Sequence, residues 1–149
     1  MRYKTPELEE QYKRLHPRLL SVTQELEDFC RKQAYPEPMA THIDRTRDQQ
    51  EDIYWRIILA QGKGALTEAQ ARYQARNRFT WHFVRCAIDL RDYIYTPAQL
   101  AVLLPFLKTI TTGKGKDYEF LYHDVGRGNH LHIGFRDNQW AKTITVPER

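Results

Sequence analysis

Cysteine is scarce in this chain. Cys30 and Cys86 are the only two among 149 residues. Two are too few for a disulfide framework, so both are expected as free, buried thiols. Long apolar runs are also missing, which excludes a bilayer-spanning helix. Met1 to Glu10 is charged and holds no apolar stretch, so no Sec-type signal peptide is expected and synthesis and folding in the cytoplasm follow. There is no internal repeat and no low-complexity tract. The HExxH pattern is absent as well, so the two-histidine helix of many zinc peptidases is not available here.

What remains is enough for one domain with a real core: 149 residues, 41% of them hydrophobic. Net charge is +4 and the pI is about 9.1. The basic residues are spread along the chain, so mild basicity by itself names no partner. The densest group is Arg72, Arg76 and Arg78, with Tyr73 and Phe79 interleaved. It suits either a weak nucleic-acid patch or a solvated loop beside a polyanionic substrate.

The pattern predicts helices first. Pro6 to Leu15 reads as a short charged helix with acids near its start, where the helix dipole favours them. Leu19, Val22, Leu26, Phe29 and Cys30 recur at helical spacing to about Gln33. Met39 to Ile43 suits a short strand. Arg47 to Gln61 reads as a helix stopped by Gly62-Lys63-Gly64. Leu66 to Arg78 is expected to be a mobile excursion, with a short helix capped by Thr67 as the other option. Trp81 to Tyr95 carries strand-like residues, best over Ala87 to Leu90. Thr96-Pro97 opens a helix with Thr as N-cap and Pro first, and Pro105 should kink it. Gly113 to Lys116 should turn. Tyr118 to His123 and His130 to Phe135 read as a strand pair, and Thr143 to Arg149 as extended or frayed. The order implies an α+β fold, a small antiparallel sheet flanked by helices. It forms one domain over 1–149, with a helical extension at 1–16 and a tail at 137–149.

Four residues stand out chemically. His130 and His132 lie two apart on an expected strand, so both leave one face while Leu131, Ile133 and Phe135 leave the other. Asp89 sits between Ile88 and Leu90, where a bare carboxylate is costly and needs a cation, a metal or strong donors; Arg91 would serve as an ion-pair partner. His82 precedes Asp89 by seven residues. Two imidazoles and a carboxylate, His82, Asp89 and His132, make three ligands for a divalent metal and leave one tetrahedral position open for chemistry. Cys86 lies between them, but strand alternation turns it away from Asp89.

The stretch Thr80-Trp81-His82-Phe83-Val84-Arg85-Cys86-Ala87-Ile88-Asp89 resembles the Ser-x-His-x-x-Gly-x-Ala-x-Asp signature of the D-Ala-D-Ala carboxypeptidase / L-alanyl-D-glutamate endopeptidase family of zinc peptidases, which share the Hedgehog/DD-peptidase fold. The resemblance covers roughly residues 17 to 136. It implies Zn2+ held by His82, Asp89 and a later strand histidine, His132. Upstream, Arg45 to Tyr54 resembles the family segment whose arginine stabilises the oxyanion, which implies that role for Arg45, or for Arg47 if the register slips. Three positions depart from the pattern. Arg85 stands at the family glycine, Thr80 at the serine, and Asn129 at the position where many members have a Glu or Asp base. Other branches use His-x-His, which implies His130 as the proton-transfer residue, with Glu119 and Asp124 as fallback carboxylates.

The function this implies is hydrolysis of an amide bond in the stem peptide of bacterial peptidoglycan, by a bacteriophage lysin or a virion-associated hydrolase. Such a protein would be made in the host cytoplasm and reach the periplasm and cell wall on release, or ride in a virion beside other virion proteins. Neither membrane insertion nor a specific nucleic-acid partner is expected. Arg85 and Asn129 also suit a second reading, a virion structural or wall-binding protein that keeps the fold without hydrolysis. A third, a basic nuclease-like domain, leaves the Arg45 segment without a role. Leu66 to Arg78, lying between Arg45 and His82 in sequence, is expected to shape the substrate groove together with Gly62 to Ala65.

Overall fold

A computed structural model describes residues 1–149. Its fold is α+β, with six α-helices and one five-stranded, mostly antiparallel sheet. The helices are α1 (Pro6–Lys13), α2 (Pro17–Lys32), α3 (Arg47–Gln61), α4 (Glu68–Asn77), α5 (Pro97–Ile110) and α6 (Asn138–Ala141). The strands are β1 (Arg2–Tyr3), β2 (Met39–His42), β3 (Ala87–Arg91), β4 (Tyr118–Asp124) and β5 (Asn129–Phe135), ordered β1-β2-β3-β5-β4 across the sheet. Only the β1–β2 pair is parallel.

Three helices start with the same chemistry. Thr46, Thr67 and Thr96 each accept from the backbone N–H three residues on, and Gln49, Gln70 and Gln99 reach back to the threonine N–H. Such capping boxes satisfy two orphan donors at once. Leu66 to Arg78 is therefore not a mobile excursion. Thr67 starts α4, and Ala71 and Ala75 bury against Ile58 of α3. Arg72 pairs with Glu51 and Glu68, and Arg76 with Asp48, Glu51 and Glu148. Those pairs neutralise two of the three arginines that suggested a nucleic-acid patch.

One face of the sheet is the floor of the core. Ile88 and Leu90 of β3 and Leu131 and Ile133 of β5 pack against Leu19, Val22 and Leu26 of α2 and Leu103 and Leu107 of α5. The alternation of strand side chains forces the residues between them to the opposite face. That face carries Asp89, Arg91, His130 and His132, and the register pairs Asp89 with His132 and Arg91 with His130.

The termini are part of this packing. Arg2–Tyr3 adds an edge strand to β2, and Leu8 and Leu15 bury in the main core. The final residues are not frayed: the carbonyls of Pro147 and Glu148 accept from the free N–H groups of Arg47 and Asp48 at the start of α3. Trp81–Val84, expected to be strand-like, is a 3₁₀ turn, because Thr80 caps it and Arg85 ends it in the left-handed region at φ 58°. Cys86 packs with Phe83 and Val84 against Trp140, away from Asp89, and burial pushes its thiol up to about 12. No helix is long and apolar enough to cross a membrane.

Candidate metal centre

Asp89 Oδ1 is the point on which the histidines converge. His132 Nδ1 lies 2.8 Å from it, His82 Nε2 3.2 Å and His130 Nε2 3.7 Å. The ligand atoms of His82, Asp89 and His132 lie within 4.8 Å of one another, and all three side chains are buried. The 3₁₀ turn delivers His82, the centre of β3 delivers Asp89, and the neighbouring strand β5 delivers His132 in register.

The hydrogen-bond pattern fixes the tautomer of His82. His82 Nδ1 donates to the backbone carbonyl of Ile43 at 2.7 Å, and a carbonyl can only accept. Nδ1 therefore carries the ring hydrogen. Burial lowers the His82 pKa to about 4, so the ring is neutral and Nε2 is a bare lone pair. That lone pair faces a carboxylate oxygen at 3.2 Å. Two acceptors at this distance repel unless a cation sits between them. An imidazole whose second nitrogen is fixed by a backbone carbonyl is also the usual arrangement of a metal ligand. The donor set, two imidazoles and one carboxylate, suits zinc.

Charge on the other groups follows from the same contacts. Burial alone would raise the Asp89 carboxyl, but the hydrogen bond from His132 and the charge on that ring bring it well below the usual carboxylate range. Burial opposes a charge on His132, yet the hydrogen bond to Asp89 and the nearby Glu119 carboxylate outweigh it and raise the ring to about 9. Glu119 lies 3.8 Å from His132 Nε2, and that ring holds its carboxyl below the ordinary value.

Arg45 lies beside Asp89. It is 5% exposed, Nη2 lies 3.6 Å from Asp89 Oδ2, and Nη1 donates to Gln50 Oε1 at 3.0 Å. Its guanidinium sits 6.0 Å from the Tyr54 ring, one helical turn beyond Gln50 on α3. Arg47 is excluded from the centre: it lies over the Phe83 ring and pairs with Glu148. Asp124 lines the cleft with one carboxylate oxygen committed to the turn beside it. Its Oδ1 accepts from the backbone N–H groups of Gly126, Arg127 and Gly128 and so shapes the β4–β5 turn.

His42 and His123 belong to the same surface and were not anticipated. His123 Nε2 lies 3.1 Å from His130 Nε2, so one ring donates to the other. Period-two alternation along β4 (Glu119, Leu121, His123) was the signal that could have found it. His42 pairs in register with Asp89, and burial lowers its pKa, helped by Arg45, Lys4 and Arg127.

A cleft of about 670 Å³ opens over the centre, lined by Arg45, His82, Asp89, His130 and His132 and by Tyr54, Arg78, Phe79, Trp81 and Glu119 at its walls. Of the Gly62 to Arg78 stretch, only Arg78 reaches it. Comparison with family models, with curated proteins and with solved structures finds no match to this chain.

Proposed function

We propose that this protein is a zinc-dependent peptidase that hydrolyses an amide bond of the peptidoglycan stem peptide, in the manner of the Hedgehog/DD-peptidase family that its motifs resemble. The observation that carries the reading is the His82 Nε2 lone pair aimed at Asp89 Oδ1, with His132 on the same oxygen, at the floor of an open cleft. A second feature supports the resemblance. Arg85 occupies the position of the family glycine and holds φ 58°, the conformation in which glycine is the default residue.

His82, Asp89 and His132 would hold the ion. When bound, zinc polarises a carbonyl and lowers the pKa of a water towards about 7. Arg45, fixed by Gln50 and Tyr54 and always charged, lines the cleft where negative charge develops on the scissile carbonyl oxygen. His130 takes a proton from the attacking water and returns it to the departing amine, with His123 as the hydrogen-bond partner of its Nε2. Phe79 and Trp81 wall the cleft and exclude water from one side.

Such an activity fits a bacteriophage lysin or a virion-associated wall hydrolase. Purified cell walls incubated with the protein, with and without a chelator, test it. New muropeptide ends in the untreated sample alone are expected; muropeptides left unchanged in both samples remove the enzyme. Asn129, in place of a carboxylate three residues before His132, favours the second reading, a wall-binding protein of the same fold. In that case zinc and wall binding persist without new ends.

A further inference from the structure

His123 and His130 face one another in register across β4 and β5. Their Nε2 atoms lie 3.1 Å apart, and the ring centroids 4.6 Å apart with the planes tilted by 54°. Two imidazole nitrogens on one tetrahedral zinc stand about 3.3 Å apart when each Zn–N distance is about 2.0 Å. The pair is therefore already spaced as a chelate. Both rings line the open cleft, so water has access to complete the coordination.

A third donor stands beside them. Asp89 Oδ1 is 3.7 Å from His130 Nε2. A carboxylate has about four lone-pair sites on its two oxygens, enough to serve the first centre and a neighbouring ion together. Two-metal sites hold their ions about 3.5–4 Å apart, and a shared Asp89 allows that spacing here.

Two features make this second position the weaker one. His82 Nδ1 is fixed by the Ile43 carbonyl, whereas neither His123 nor His130 makes a hydrogen bond at Nδ1. An ion in the first centre and the Arg45 guanidinium, 3.6 Å from Asp89 Oδ2, also repel a further cation. The pair therefore fills only once zinc exceeds one equivalent.

Filling it has a chemical consequence. A neutral imidazole offers a single lone pair. With zinc on His130 Nε2, the ring hydrogen sits on Nδ1, and no nitrogen is left to take a proton from water. We propose that His123 and His130, sharing Asp89 with the first centre, form a second zinc site that silences hydrolysis when zinc is in excess. The silencing rests on the peptidase reading; the binding does not.

Zinc titration of the metal-free full-length chain tests it, followed by calorimetry and by long-range proton–nitrogen NMR of the histidine rings. The parent takes up a second equivalent more weakly than the first, and that equivalent moves the Nε2 signals of His123 and His130 together. His123→Gln and His130→Gln each keep the first equivalent and lose the second, with thermal midpoints that show both variants folded. Wall hydrolysis by the parent falls about 100-fold or more as the second equivalent binds, the scale of a lost general base. In His123→Gln, whatever its starting rate, excess zinc changes nothing. Uptake of a single equivalent by the parent, a second equivalent that both variants keep, or ring signals that stay still overturns the proposal. Hydrolysis undiminished by a bound second equivalent removes the silencing alone. Two bound equivalents without hydrolysis at any zinc level remove the peptidase reading and leave the second site standing.

Discussion

Asp89 and His132 face each other in register across β3 and β5, with His132 Nδ1 2.8 Å from Asp89 Oδ1. The pair ties the metal site to the sheet itself, so site geometry and fold stability are coupled. Asp89→Ala would leave the Arg45 guanidinium buried without its anion and remove the acceptor of the His132 proton. Breaking a buried pair in this way costs on the order of 3–5 kcal/mol. Thermal unfolding should show the loss, and zinc stoichiometry by atomic absorption should fall from about one to near zero.

Ligand binding to the folded state alone stabilises it by mass action. Chelation should therefore lower the thermal midpoint of zinc-loaded protein by several degrees, on the scale of about 2–4 °C per kcal/mol for a chain of this size. Adding zinc back should restore it. A midpoint indifferent to chelator and zinc would place the ion elsewhere or nowhere.

Metal-free stability should peak near pH 6.5. His132 is raised from 6.5 to about 9, so its contribution is complete below 6.5 and is lost as pH rises to about 9. His82 is lowered from 6.5 to about 4, so its contribution is present above 6.5 and is lost as pH falls to about 4. Zinc displaces the His132 proton, so the alkaline arm should vanish in loaded protein and zinc affinity should fall with acid. Chemical denaturation from pH 4 to 9, with and without metal, reads both arms.

On the peptidase reading, the side chains that would act on the substrate are distinct from those that would hold the ion. His130→Ala should lower kcat by about 10²–10⁴-fold with zinc content unchanged. Arg45→Lys keeps the charge but loses the fork, and should lower kcat more than it raises KM. If wall hydrolysis survives both substitutions at the parental rate, the roles given to these residues are wrong.

Arg85→Gly should stay within about 1 kcal/mol of the parent. The substitution relieves a left-handed backbone that costs a side chain roughly 1–2 kcal/mol but removes a partly exposed pair to Asp44 at 3.6 Å, worth about 0–1 kcal/mol. Hydrolysis and zinc content should not change, since Arg85 faces Asp44 rather than the cleft. A large loss would give its side chain a function in the site.

Local rules made much of this chain legible. Thr96-Pro97 marked one helix start, and alternation at His130, Leu131 and His132 separated a core face from a polar one. Gln50 and Tyr54, four apart on α3, share a face, and both meet Arg45 just ahead of that helix. The α4 segment misled because its charge suggested solvent, whereas its arginines answer acids on α3 that no local pattern reveals.

By itself, then, the order of residues determined the elements, their caps, the face each strand turns to the core and the types of ligand on offer. Those are short-range matters of dihedral preference and period. Only the tertiary structure decided that β3 lies beside β5 in the register that puts Asp89 against His132. It also decided that Ile43 fixes the tautomer of His82, and that Lys4, Arg91 and Arg127 meet beside the cleft. These contacts join residues tens of positions apart, and their geometry is set by how the sheet packs against α2 and α5 as a whole.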